Sequence, residues 1–114
     1  MTAIRRAQGS TRPVKLTITT GDEPLDLTSA TVKIYMRPIL RDDTISDQMV
    51  VNGAATTLAN QTTNPGEVTW EPATGDFANV GSYALQPWIT FPDDTEDGPE
   101  PIRLEVFDSL VPES

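Results

Sequence analysis

The chain has 114 residues, no cysteine, no histidine and a formal net charge of −9. That length supplies one domain with a single core, and the two missing residue types exclude a disulfide framework, thiolate metal sites and Ser-His or Cys-His nucleophilic triads. The acidity argues against nucleic acid, where cations neutralising phosphate supply most of the affinity, and against an anionic membrane surface.

Residues 1–12 form a polar, basic arm carrying Arg5, Arg6 and Arg12. No apolar stretch follows the first arginines, so no secretory signal of the usual kind is expected, and no segment approaches membrane-spanning length. The sequence is thus that of a soluble protein, compatible with a reducing cytosol. Val14, Leu16 and Ile18 then alternate with Lys15, Thr17 and Thr19, which predicts a strand with one face in a core. Gly21-Asp22-Glu23-Pro24 turns the chain. Val32, Ile34 and Met36 alternate with Lys33, Tyr35 and Arg37 in a second half-buried strand closed by Pro38.

From residue 39 to 58 the pattern weakens. Strands are expected around 48–51 and 55–58, joined as a hairpin at Asn52-Gly53. Residues 60–66 are polar turn material, in which Asn60-Gln61-Thr62 matches a glycosylation sequon by chance. Residues 67–70 form a short strand, 71–79 a loop, 82–91 a long strand, 92–101 an acidic loop and 102–108 the last strand. Within 79–85, Gly81 lets the chain turn, and Tyr83 can bury its ring while its hydroxyl reaches a backbone partner at the bend. Immunoglobulin-like sandwiches place a tyrosine at such a corner, two residues before a core position, here Leu85.

Ten prolines would be hard to place in a helical domain of this size. The expected fold is all-β, an immunoglobulin-like antiparallel β-sandwich of about seven to eight strands over residues 13–110, with a tail at 111–114. Pro87 lacks a ladder donor, so its strand should lie on an edge or carry a bulge, and a bulge would turn Trp88 inward.

No group of residues converges on a reaction, and the chain is read as a non-enzyme with no catalytic residue, cofactor or metal. Asp42-Asp43 and Asp93-Asp94 are adjacent carboxylates on loops, where a solvated edge is the expected state. The run from Asp93 through Glu96 and Asp97 to Gly98 resembles a calcium loop, but an EF-hand would need its glutamate at position 104, which is Leu104. Trp70 and Trp88 are expected to fill the core; the alternative is stacking on a sugar.

Charge is unevenly distributed. Residues 1–41 carry seven basic groups and three acids, net plus four; residues 42–114 carry Arg103 and fourteen acids, net minus thirteen. Interleaved strands would mix these charges, while the sharper reading is a basic and an acidic face that meet between copies or partners. Candidate interaction residues are Arg5, Arg6 and Arg12 on the arm and Asp93, Asp94, Glu96 and Asp97 on the acidic loop. Gly81, Tyr83 and Trp70 are structural. The arm is expected to cross to a neighbour as an added edge strand, or else to fray as a tail.

Read in order, Arg12-Pro13-Val14, the run from Pro24 through Leu27-Thr28-Ser29-Ala30 to Met36-Arg37, Gly66-Glu67-Val68-Thr69-Trp70, Gly81-Ser82-Tyr83 and a closing apolar strand resemble the N-terminal domain of the phage baseplate upper protein family. The family has a leucine-threonine-glycine-alanine stretch, a Gly-x-Val-x-aromatic strand, a Gly-x-Tyr and a Pro-Asp-Gly-like turn. Here Ser29 replaces the first glycine, and Pro92-Asp93-Asp94 extends the turn. The resemblance implies a docking sandwich of a tailed-phage virion, made and assembled in the bacterial cytoplasm, present in multiple copies, with other virion proteins of the tail, baseplate, neck or capsid as partners and neither nucleic acid nor membrane among them. A fibre-carrying extension does not follow the domain, which leaves an attachment, joining or capsid-decorating role. The competing class is a carbohydrate-binding adhesive sandwich using Trp70, Trp88 and the 93–98 loop with calcium.

Overall fold

The computed structural model describes residues 4–20, 23–73 and 75–108. Residues 1–3 of the expected arm, Gly21-Asp22 of the first turn and the expected tail at 111–114 lie outside the described residues. The described residues are all-β, without a helix. A six-stranded sheet contains β1 (Ile4–Ala7), β5 (Thr31–Ile39), β6 (Val51–Ala55), β9 (Gly81–Thr90), β10 (Glu96–Asp97) and β11 (Ile102–Phe107). Its order is β1-β11-β9-β5-β6, with β10 pairing β9. A three-stranded sheet is ordered β2-β8-β7, from β2 (Val14–Thr17), β7 (Thr57–Leu58) and β8 (Glu67–Trp70), and β3 (Thr19–Thr20) pairs with β4 (Glu23–Pro24).

The centre of the large sheet is the antiparallel β5–β9 ladder, in register from Thr31↔Thr90 to Ile39↔Ser82. Period-two alternation sends Val32, Ile34 and Met36 from β5, and Tyr83, Leu85, Pro87 and Ile89 from β9, to one face. The small sheet offers Val14, Leu16, Val68 and Trp70 in return, and these side chains join one buried cluster with Leu27, Phe77, Leu104 and Val106. Trp70 and Phe77 meet edge to face at 5.7 Å between ring centroids. The arrangement is sandwich-like: each sheet removes the other's apolar face from water, at roughly 1.5–3 kcal/mol for each large aliphatic or aromatic side chain fully buried.

Four expectations are corrected. Pro87 sits in an interior strand whose register with β5 is unbroken at Ile34↔Pro87, so neither an edge nor a bulge accommodates it. On its other flank β11 stops pairing at Leu85 and β10 begins at Ile89, so that side of the ladder is open at the proline. Without a bulge there is no change of face, and Trp88 lies on the outward side, half-exposed. Asn52-Gly53 is not a hairpin turn. It lies inside β6, where the β5 register shifts between Ile34 and Tyr35, and Gly53, at φ 81°, supplies the left-handed residue of a bulge. The chain instead changes sheets at Thr56, whose hydroxyl donates to the Val32 carbonyl at 2.8 Å. Finally, Ile4–Ala7 of the arm is an edge strand of the chain's own sheet, parallel to β11, so the sheet is not wholly antiparallel. Smaller differences are that β5 runs through Pro38 to Ile39 and that β10 forms inside the 92–101 loop.

Two polar devices close the ends. The Tyr83 ring is buried, and its hydroxyl donates to the Asn79 carbonyl at 2.6 Å. At the opposite end, the Gln61 side chain uses its full hydrogen-bonding capacity. Its Oε1 accepts from the Leu27 amide at 3.1 Å and the Gly66 amide at 2.8 Å, while its Nε2 donates to the carbonyls of Ala59 at 2.9 Å and Glu67 at 3.2 Å. Gly66 must be glycine, since φ is 80° and a Cβ would collide with the Ile18 carbonyl oxygen. Its own carbonyl accepts from the Ile18 amide at 2.8 Å.

Replacing Gln61 with alanine leaves the Leu27 and Gly66 amides without their acceptor and lowers stability by about 2–3 kcal/mol in urea unfolding. Tyr83→Phe costs about 1 kcal/mol at neutral pH. Burial raises the Tyr83 pKa above 10.0. Folding therefore favours the protonated phenol: that stabilisation is complete below pH 10 and is lost as pH rises through the raised value. The phenylalanine variant has no such group, so the wild-type advantage over Y83F shrinks in strongly alkaline unfolding curves.

Candidate protein-interaction surfaces

The basic and acidic candidates are held at opposite ends of β9. Arg5 stands opposite Glu105, which pairs with Ser82, whereas Glu96 pairs with Thr90. Eight residues of extended strand separate Ser82 from Thr90, about 26 Å. The two groups are therefore too far apart to pair within one chain, and at ordinary salt they are separated by more than two screening lengths.

Most of the arm's charge is used locally. Alternation puts Ile4 and Arg6 on the side of the inward-facing Leu104 and Val106, and Arg5 on the other. Arg6 buries its stem and donates through Nη2 to the Pro13 carbonyl at 3.2 Å, pinning β1 to the segment that enters β2. Its Nε is buried without a partner, and burial, then the neighbouring Arg12, lowers its pKa. Arg5 lies 3.9 Å from Glu105, and its guanidinium carbon is 5.2 Å from the Phe107 ring centroid. Glu105 also holds Arg103 at 3.2 Å. These exposed pairs contribute at most about 1 kcal/mol each. Arg12 stays exposed.

The acidic loop is an ordered turn. In the five residues from Phe91 to Thr95, the Phe91 amide donates to the Thr95 carbonyl and the Asp94 amide to the Phe91 carbonyl. Asp93 Oδ1 accepts from the Thr95 amide at 3.1 Å and its hydroxyl at 2.6 Å, and Asp94 is left-handed at φ 68°. The same construction recurs from Leu40 to Thr44, with Asp42 accepting from Thr44 and Asp43 at φ 65°. Both fit a three-residue hairpin loop, a type I turn followed by one left-handed residue. The two adjacent-carboxylate pairs are thus turn chemistry: the first acid accepts, and the second tolerates positive φ. A third such Asp-x-Thr contact joins Asp26 to Thr28, followed by Ser29 at φ 63°.

Glu96 and Asp97 are also engaged, Glu96 Oε1 by the Trp88 indole N–H at 3.0 Å and Asp97 Oδ1 by the Gly98 amide at 2.8 Å. Among the described residues no three potential metal ligands converge. Trp70, one of the two rings considered for sugar stacking, is fully buried.

Sequence reasoning missed the outward face of the large sheet. Tyr35 and Arg37 of β5 and Ala84, Gln86 and Trp88 of β9 form the floor and flanks of a groove of about 370 Å³, completed by Ile45, Met49 and Pro101. The rings lean apart. The tip of Tyr35 lies over Gly53, on the β6 side, and the Trp88 six-membered ring lies over Gly98, beyond β10, where a Cβ would stand 2.7 Å from it. Leu40, Ile45, Met49 and Val50, four of the six exposed large hydrophobic residues among those described, fall in the segment that walls this face. The signal was present as apolar residues without alternation between 39 and 50, the weakest-patterned part of the chain.

No protein-family model matches the sequence, and no curated protein is significantly similar to it.

Asp43→Gly and Asp94→Gly relieve left-handed backbone at a β-carbon and are expected to raise stability by about 0.5–1 kcal/mol each in thermal or urea unfolding. Their effects should add, since the loops are far apart. Hydrogen bonds from the Thr44 and Thr95 side chains, then from their amides, hold the Asp42 and Asp93 pKa values below 3.8. The turns are therefore fully stabilised above that value and loosen as pH falls through the lowered pKa. NMR titration should show the Thr44 and Thr95 amide resonances moving together with those carboxylates.

Proposed function

We propose that this chain is a non-enzymatic structural component of a tailed-phage virion, an immunoglobulin-like β-sandwich that docks onto tail, baseplate or neck proteins in several copies. The observation that carries this reading is backbone conformation where the sequence departs from the resembling family. Ser29 stands where that family has glycine, and Asp94 occupies the third place of its Pro-Asp-Gly-like turn; both are left-handed, at φ 63° and 68°. A glycine is the natural occupant of either site. Such agreement between an independent backbone property and the motif comparison favours a shared fold over a coincidence of short motifs.

The immunoglobulin-like assignment rests on strand order. Taken along the chain, β2, β5, β6, β7, β8, β9 and β11 fall into sheets in the manner of immunoglobulin strands B, C, C′, D, E, F and G: B-E-D in one sheet and G-F-C-C′ in the other. The Tyr83 hydroxyl bond to Asn79, near the start of β9 and two residues before buried Leu85, has the form of a tyrosine corner. A docking role is supported by the gathering of exposed apolar side chains in residues 40–50, two of which, Ile45 and Met49, line one groove, since grouped exposed apolar residues mark interaction sites.

Virions purified from cells infected with the encoding phage test the reading. Mass spectrometry should find the chain in several copies per particle, and immunogold labelling should place it at one tail or neck position. Its absence from purified particles overturns the proposal, and head labelling would replace it with capsid decoration.

A further inference from the structure

We infer that the groove across the outward face of β5 and β9 is a peptide-docking site, and that its occupant is an extended segment of a partner protein bearing an apolar side chain and a carboxylate. This deepens the docking reading and rests on it for the existence of a partner. Ile45, Met49, Pro101 and the rings of Tyr35 and Trp88 make the walls apolar, and Arg37 is the single charged group among the lining residues. No carboxylate among the described residues forms an ion pair with Arg37, although Arg103, two strands away, holds Glu105 and Lys15 holds Glu67. A half-buried guanidinium between apolar walls is a cation set to receive a carboxylate bidentately. The Gln86 Nε2 is committed to the Pro99 carbonyl at 2.8 Å, which leaves its Oε1 free to accept a peptide N–H.

Other occupants fit less well. A sugar laid against Ile45 and Met49 would leave hydroxyls desolvated without partners. A second copy adds a body of charge −9 to one already acidic. Glu96, bonded to the Trp88 indole, borders one end of the groove, so the apolar side chain belongs at Trp88, while a carboxylate at Arg37, beside Ala84, is about 20 Å along β9 from Thr90. Asp43 and Glu100 line an adjoining hollow that shares Ile45, Ala84 and Pro101 with the groove, but Arg103 stands with them there and neither acid lines the groove itself, where Arg37 is the charged group. Strand addition at β6 is disfavoured because the Gly53 bulge interrupts that edge.

The test is NMR titration of the full, ¹⁵N-labelled chain with an end-capped pentapeptide carrying leucine two residues before aspartate, which puts both on one side of an extended backbone. Saturable shifts at the Tyr35, Ala84 and Gln86 amides and the Trp88 indole N–H are expected. The same peptide with asparagine should bind about three- to fivefold more weakly, as the loss of a partly exposed ion pair implies. Arg37→Gln should erase that preference and Arg37→Lys should keep most of it, each with an unchanged thermal midpoint. No saturable shift at these positions, equal affinity for both peptides, or sedimentation showing that a second copy occupies the face would each overturn the inference. Particles containing wild-type chain and equally well occupied by Trp88→Ala and Arg37→Glu variants would defeat the groove while leaving the virion reading intact; particles lacking the wild-type chain would defeat that reading and leave the titration to decide the groove.

Discussion

The β5–β9 ladder is the constraint from which the remaining structure follows. Nine register pairs, from Thr31↔Thr90 to Ile39↔Ser82, fix which side chains face inward on both strands at once. A one-residue slip of β5 would expose Val32, Ile34 and Met36 together and bury Lys33 and Arg37, so the register is held by the whole apolar face. With no cysteine to cross-link the sheets, this shared face is what joins them. Every other strand is placed by it. β11 and β6 pair with its two flanks, β1 extends β11, and the small sheet covers the apolar side.

The same ladder determines the outward face that carries the groove. Alternation that sends Ile34 and Pro87 inward sends Tyr35, Gln86 and Trp88 outward, and the pairing of Tyr35 with Gln86 and of Lys33 with Trp88 sets the two rings diagonally across neighbouring strands. Glycines on both flanks let those rings lie down, Tyr35 over Gly53 and Trp88 over Gly98. The 40–50 segment then adds Ile45 and Met49 as a wall. The groove is a consequence of strand order and of two missing β-carbons.

Electrostatics enters at shorter range than the uneven charge of the two halves suggests. Acids at 26, 42 and 93 cap turns through their following threonines, Glu96 steadies Trp88, and Glu105 lies between Arg5 and Arg103. Interleaving of the strands mixes charge at the end that holds the arm. The loops at 23–26 and 91–97, at the Thr90 end of the ladder, remain acidic. Six of the seventeen acids lie in these two loops, with no basic residue among them.

Alternation was readable from the sequence because it is local: strands within 14–19, 32–37, 67–70 and 82–91, the buried Trp70, and the Tyr83 corner needed only periodicity, glycine and a hydroxyl. What depended on pairing partners was not readable. Pro87 looked incompatible with an interior strand, and only the gap between β10 and β11 beside it removes the conflict. Asn52-Gly53 has the local preference of a hairpin turn, but sheet pairing with β5 on one side and the crossover at Thr56 made Gly53 a bulge instead. The arm's parallel pairing with β11 and the reach of Gln61 across to Leu27 join residues far apart in the chain. The local chain thus determined the longer strands. Which strands became neighbours, and so which residues line a common groove, was decided by how the two apolar faces could close over one another.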